Sequence, residues 1–137
     1  MKFLFSRRRL ILGIAAAGNF IGSIAAIISP AFFFSQFFRY QPDRYATFPW
    51  LAMYHYTFWA FVLIMGIAFL AGAIDPVKNR IVLMIGGFGK VVAAAFWVML
   101  YSQGHGRWLM ISGGIWDTVL GIIMLMLFFV KTEEKAS

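Results

Sequence analysis

The sequence predicts an all-α integral membrane protein: an up-down bundle of four transmembrane helices in a single membrane domain, residues 1–137. Three observations carry this. Of the 137 residues, 62% are hydrophobic and only 12% charged, whereas soluble domains carry about a quarter charged and about half apolar. The mean hydropathy is +0.82. The apolar residues also gather into four stretches of the about 20 residues that a helix needs to cross a bilayer. A small core cannot absorb that much apolar surface, so much of it must face lipid.

The first span covers residues 10–29 and stops at Pro30. A connection over 30–49 follows, carrying Phe32, Phe33, Phe34, Phe37, Phe38, Tyr40, Tyr45 and Phe48. It has too few consecutive apolar residues to span. Its aromatic rings predict a short helix in the outer interface, where such rings favour headgroup level; an ordinary anchoring loop and a cover over an outward-facing cavity are the other readings. The second span, 50–74, stops at Asp75-Pro76. Spans three and four cover 81–102 and 108–130, and 131–137 form a short polar tail. Residues 75–80 and 103–107 are too short to do anything but turn the chain, which makes consecutive helices antiparallel neighbours.

The net charge of +7 does not indicate nucleic acid, because the bases sit at the ends of apolar runs and not on a basic folded surface. One side of the predicted bundle carries Lys2, Arg7, Arg8, Arg9, Lys78, Arg80, Lys131 and Lys135; the other carries Arg39, Arg44 and Arg107. The richer side is cytoplasmic by the positive-inside rule, giving both termini in the cytoplasm. The run from Ser6 to Ile11 loosely resembles a twin-arginine export signal, but the apolar stretch after it exceeds a typical signal core.

Three polar residues fall at membrane depth. Lys90 lies nine residues into the third span and Asp117 nine into the fourth, which at about 1.5 Å per residue puts both about 14 Å deep from opposite faces. In a hydrocarbon core about 30 Å thick, both approach the midplane. Asn19 reaches the same level on the first span. Gly113, Asp117 and Gly121 form one stripe at i, i+4, i+8; Gly86, Lys90 and Ala94 form another; Ala15, Asn19 and Ser23 form a third, with Gly18 and Gly22 beside it. Small residues around a polar one let helices approach and let the polar group reach across. The second span offers Phe58, Trp59, Phe61 and Leu63 at this depth and is expected to supply packing or lipid contact.

The expectation is a buried Lys90–Asp117 ion pair with Asn19 hydrogen-bonded beside it. It reads either as an orienting lock between helices or as a ligand, substrate or proton site, since ionisable groups inside a membrane are costly and often functional. His55 and His105 fall on the same side, so a shared haem or metal is geometrically conceivable, but no third ligand accompanies them. No phosphate loop, HExxH or serine–histidine–carboxylate pattern is present. Among the acids only Asp117 is intramembrane, which excludes a paired-carboxylate mechanism in the bundle. There are no cysteines, hence no disulfide or thiolate site.

The run Gly66-x5-Gly72-Ala-Ile-Asp75-Pro76, then Gly86-x2-Gly89-Lys90, then Gly113-Gly114-x2-Asp117, resembles the pattern of small bacterial four-helix DoxX-like membrane proteins and the similar BphX-like group. The resemblance implies a bacterial inner-membrane protein with Lys90 and Asp117 at matching positions. Some DoxX relatives resemble small subunits of quinone-linked oxidoreductases, although this chain has no cofactor motif.

Function is therefore expected to be non-catalytic: an accessory or structural subunit of a larger inner-membrane complex, in contact with lipids and with other subunits or copies of itself, without cofactor, metal or nucleic acid. The alternative is binding or transport of a hydrophobic or weakly polar molecule in the bundle through Lys90, Asp117 and Asn19. Proton transfer by the Lys90–Asp117 pair is a third reading.

Overall fold

The computed structural model describes residues 2–39 and 49–130, with side chains from residue 6. Its helices are α1 (Lys2–Ile28), α2 (Pro30–Phe37), α3 (Pro49–Ile74), α4 (Ile81–Ser102) and α5 (Trp108–Phe129). From Ser6 onward α1 is long and apolar enough to cross a membrane, as are α3, α4 and α5. The protein is an all-α four-helix membrane bundle. Tyr40, Tyr45 and Phe48 of the aromatic connection, and the tail 131–137, lie outside the described residues.

The bundle has two chemically different ends. The basic end holds the start of α1, the α3–α4 turn and the close of α5; the aromatic end holds α2 and the α4–α5 turn. At the basic end, the Asp75 carboxylate accepts the backbone N–H groups of Val77 and Lys78 at 3.3 and 3.1 Å, and Asn79 Nδ2 donates to Ala71 O and Asp75 O. Side chains thus satisfy groups that the end of α3 would leave bare. At the aromatic end, His105 N–H donates to Leu100 O and Gly104 N–H to Tyr101 O. This is the Schellman pattern, and Gly104 takes the positive φ of 79° that it requires.

Sequence reading started the first span at residue 10, but α1 starts at Lys2. The three arginines do not interrupt it because arginine is a good helix former. Arg8 does not face water as a topology charge would: it is 1% exposed. Its guanidinium donates to Leu127 O from Nε (3.2 Å) and Nη2 (2.9 Å), and to Val130 O from Nη2 (2.8 Å). Arg80 donates to Phe128 O and lies 4.9 Å over the Phe128 ring. Two cations thereby cap the carbonyl end of α5, where unpaired acceptors and the negative end of the helix dipole meet. Arg8→Ala should lower unfolding stability in detergent by about 2–3 kcal/mol, the range for charge-assisted bonds. Arg8→Lys should recover only part, because an ammonium lacks the rigid planar fork that presents Nε and Nη2 together to these carbonyls.

The four spans are not equally packed. α1 lies closely along α3, and α4 along α5, while α3 and α4 touch little despite their short turn. Glycines set both close pairs. A Cβ at Gly66 would sit 3.1 Å from Phe20 and 3.3 Å from Asn19; one at Gly87 would sit 2.9 Å from Gly121 O. The two pairs meet through Leu12, Ala15, Ala16, Phe69, Ala73, Leu83, Leu120 and Met124. That core occupies the basic half, and the pairs part above it. The remaining apolar surface, including Ile21, Ile28, Phe88 and Phe129, is exposed, as lipid-facing positions are.

Candidate functional site

A cavity of about 350 Å³ fills the space where the two helix pairs part. Its floor is Phe69, whose ring occupies the room a Cβ on Gly86 would need. Trp59, Val62 and Met65 of α3 form one wall, and Gly18, Asn19 and Gly22 of α1 another. Sequence reading gave the second span only packing or lipid contact. In the structure α3 is a principal cavity wall, and its polar contribution is a backbone carbonyl, Val62 O.

α2 covers the aromatic end. Phe33 packs edge-on against Trp59 at 4.6 Å, and Phe37 lies 5.6 Å from Trp97. Both phenylalanines line the cavity. Pro30 starts this helix at a position where its missing N–H costs nothing. Beyond the helix, Arg39 N–H donates to His105 O at 3.0 Å, Arg107 N–H to Phe37 O at 2.8 Å, and Arg39 Nε to Gly106 O at 3.0 Å. Phe38 and Gly106 are bridged. The described part of the aromatic connection, 30–39, therefore holds the expected short helix, and that helix closes the cavity at the aromatic end.

Lys90, Asp117 and Asn19 come together on one wall of this cavity. Lys90 Nζ donates to Asp117 Oδ1 at 2.6 Å and to Asn19 Oδ1 at 3.4 Å. Asn19 Nδ2 donates to Val62 O at 3.1 Å, which fixes the amide so that its oxygen faces the ammonium. A fourth member was not singled out from the sequence: Trp97 Nε1 donates to Asp117 Oδ2 at 3.4 Å. The available signal was its spacing, since Trp97 lies seven residues after Lys90 and so on the same helix face. The arrangement is a neutral, mutually bonded cluster set into apolar and aromatic walls.

The glycine stripes divide their labour. Gly113 faces Phe37 and the cavity, Gly86 receives Phe69, and Gly121 meets Gly87 O and Val91. On α1, Ala15 and Ser23 are fully buried, and Ser23 Oγ donates to Phe20 O. The histidines do separate work: His55 Nε2 donates to Ala26 O at 2.9 Å, while the His105 backbone anchors Arg39. Among the described residues, no three of His, Asp and Glu gather as a metal would need.

These features define a membrane-embedded bundle with a polar cluster in an internal cavity. Comparison of the chain with family models, curated proteins and solved structures finds no match.

Proposed function

We propose that this protein binds a small amphipathic molecule inside the bilayer, its polar head on the Lys90–Asp117–Asn19–Trp97 cluster and its apolar body among the aromatic walls. One observation carries this reading: the ion pair borders a cavity. A pair serving only to lock helices is best sealed by side chains, because empty space beside it forfeits packing contacts. Here Lys90 and Asp117 retain 11% and 17% of their side-chain surface accessible, on a cavity within the size range of small-molecule sites. The cluster is also incompletely used. Two of the three ammonium hydrogens have partners among the described residues, and each carboxylate oxygen has a lone pair to spare. A hydroxyl or carbonyl fits that vacancy.

The site's net charge is zero, which favours a neutral head over an ionised one. The positive-inside asymmetry supports cytoplasmic placement of the basic end, and the DoxX-like pattern supports a bacterial inner membrane. The test is native mass spectrometry of the protein gently extracted from its own membrane. Wild type should carry a discrete extra mass, and the neutral double variant Lys90→Met/Asp117→Leu should lose at least tenfold of it while staying folded. Other polypeptides attached to both, with no small adduct on either, would reject binding in favour of the accessory-subunit reading.

A further inference from the structure

The geometry points to lateral access: we infer that the ligand is a chain-bearing neutral lipid, which enters from the bilayer between α3 and α4 and leaves its chain lying in that seam. This rests on the cavity being a binding site, and the argument begins with which sides are shut. At the aromatic end α2 is strapped to the α4–α5 turn by four backbone-accepted bonds: the two that make the Phe38–Gly106 bridge, and two from side chains, Arg39 Nε to Gly106 O at 3.0 Å and Arg107 Nε to Phe38 O at 3.2 Å. The α1–α3 and α4–α5 sides are closed by helix contact at Gly66 and at Gly87 and Gly121. Between α1 and α5, the indole of Trp116 lies against Gly18, 3.4 Å from where its Cβ would be. The basic end is filled by the core under Phe69.

Among the described residues the remaining side is α3–α4, and its residues behave as a rim. Phe58, Phe61 and Ile85 all line the cavity, yet they are 47%, 61% and 53% exposed. Such side chains border an opening where nothing spans the gap; Trp116, likewise at the cavity and 47% exposed, instead spans the α1–α5 gap onto Gly18. Gly89 lines the cavity too, and a Cβ there would meet nothing within 4 Å. Depth then decides what the opening faces. At about 1.5 Å per residue, Phe61 is about 18 Å from the aromatic end of α3, and Gly89 about 12 Å from the basic end of α4. The opening therefore faces acyl chains, not water, in a hydrocarbon core about 30 Å thick.

Size and charge narrow the occupant. At about 30 Å³ per water, the cavity has room for about a dozen, enough for a head and the first part of a chain. The rest must stay outside, and the apolar rim suits it. The unassigned Lys90 hydrogen and the neutral cluster call for a hydroxyl or carbonyl head, not a phosphate.

The test uses the full-length protein in phosphatidylcholine nanodiscs and a long-chain monoacylglycerol carrying a diazirine close to its head. Saturable photo-adducts should form on α3 and α4. Gly89→Phe, which fills the seam, and Ile85→Trp, which narrows it from the rim, should each cut adduct yield at least tenfold. Arg39→Ala/Arg107→Ala, which loosens the α2 strap, should leave it unchanged. Wild-type yield in either seam variant, with adducts still lost in Lys90→Met/Asp117→Leu, would overturn lateral access and leave the binding site standing. Wild-type labelling no greater than in that double variant would overturn both.

Discussion

Asp117→Leu alone should destabilise the bundle by about 3 kcal/mol, and adding Lys90→Met should restore most of the loss. The single change strands an ammonium near mid-membrane, where insertion scales put an uncompensated charge at about 2.5–3.5 kcal/mol. Removing one member of a buried pair is costly for the same reason, while replacing both by apolar groups of similar volume is often neutral. Recovery should stop about 1 kcal/mol short, since Trp97 Nε1 loses its acceptor among the described residues, Asp117 Oδ2. The check is a double-mutant cycle of unfolding in mixed detergent micelles, and additive single effects would mean that the two groups are not coupled.

The charge swap Lys90→Asp/Asp117→Lys sharpens this, because the surroundings are not symmetric. Trp97 donates to position 117 and the Asn19 oxygen faces position 90. Both suit the native polarity and oppose the reversed one. The swap should therefore rescue less stability than the apolar pair, and bound small-molecule mass should not return. Full recovery of both would mean that only the attraction between the two charges matters, which is the lock reading.

How much of this was legible beforehand follows from what each signal measures. Apolar run length marked the four spans, because lipid imposes that length directly. Lys90, Asp117 and Asn19 were found because a polar side chain at membrane depth stands out against its neighbours. Trp97 stayed hidden because an indole in an apolar run reads as one more large hydrophobe until its N–H has a partner. Val62 could not have been found from side-chain types, since its role belongs to its carbonyl. The burial of Arg8 was not legible because charge counting assigns a cation to one end of the bundle without saying what surrounds it, and only the tertiary approach of α1 to the end of α5 supplies the carbonyls that bury it. The adjacent glycines were equally ambiguous: Gly86 makes room for Phe69, and Gly87 for the backbone of α5.

That division of the glycines gives the other large expected effect. Gly121→Leu should cost about 2–3 kcal/mol, the overpacking range, and should also empty the site. A Cβ at 121 would lie 2.9 Å from Gly87 O, 2.9 Å from Val91 Cγ2 and 3.2 Å from Val91 N. Two of those atoms are backbone, so no rotamer change relieves the contact and α4 must move off α5. Asp117 is one turn before Gly121 and Lys90 three residues after Gly87, so the same displacement stretches the 2.6 Å ion pair. Gly13→Ala is the matched control: its Cβ would meet nothing within 4 Å, and the better helix propensity of alanine should leave stability unchanged or raise it by up to about 1 kcal/mol. Thermal unfolding in detergent and native mass spectrometry on the same samples read both effects. Loss of stability at Gly121 with retained ligand mass would show that the cavity does not depend on α4–α5 contact, and that the polar cluster binds without the 2.6 Å pair.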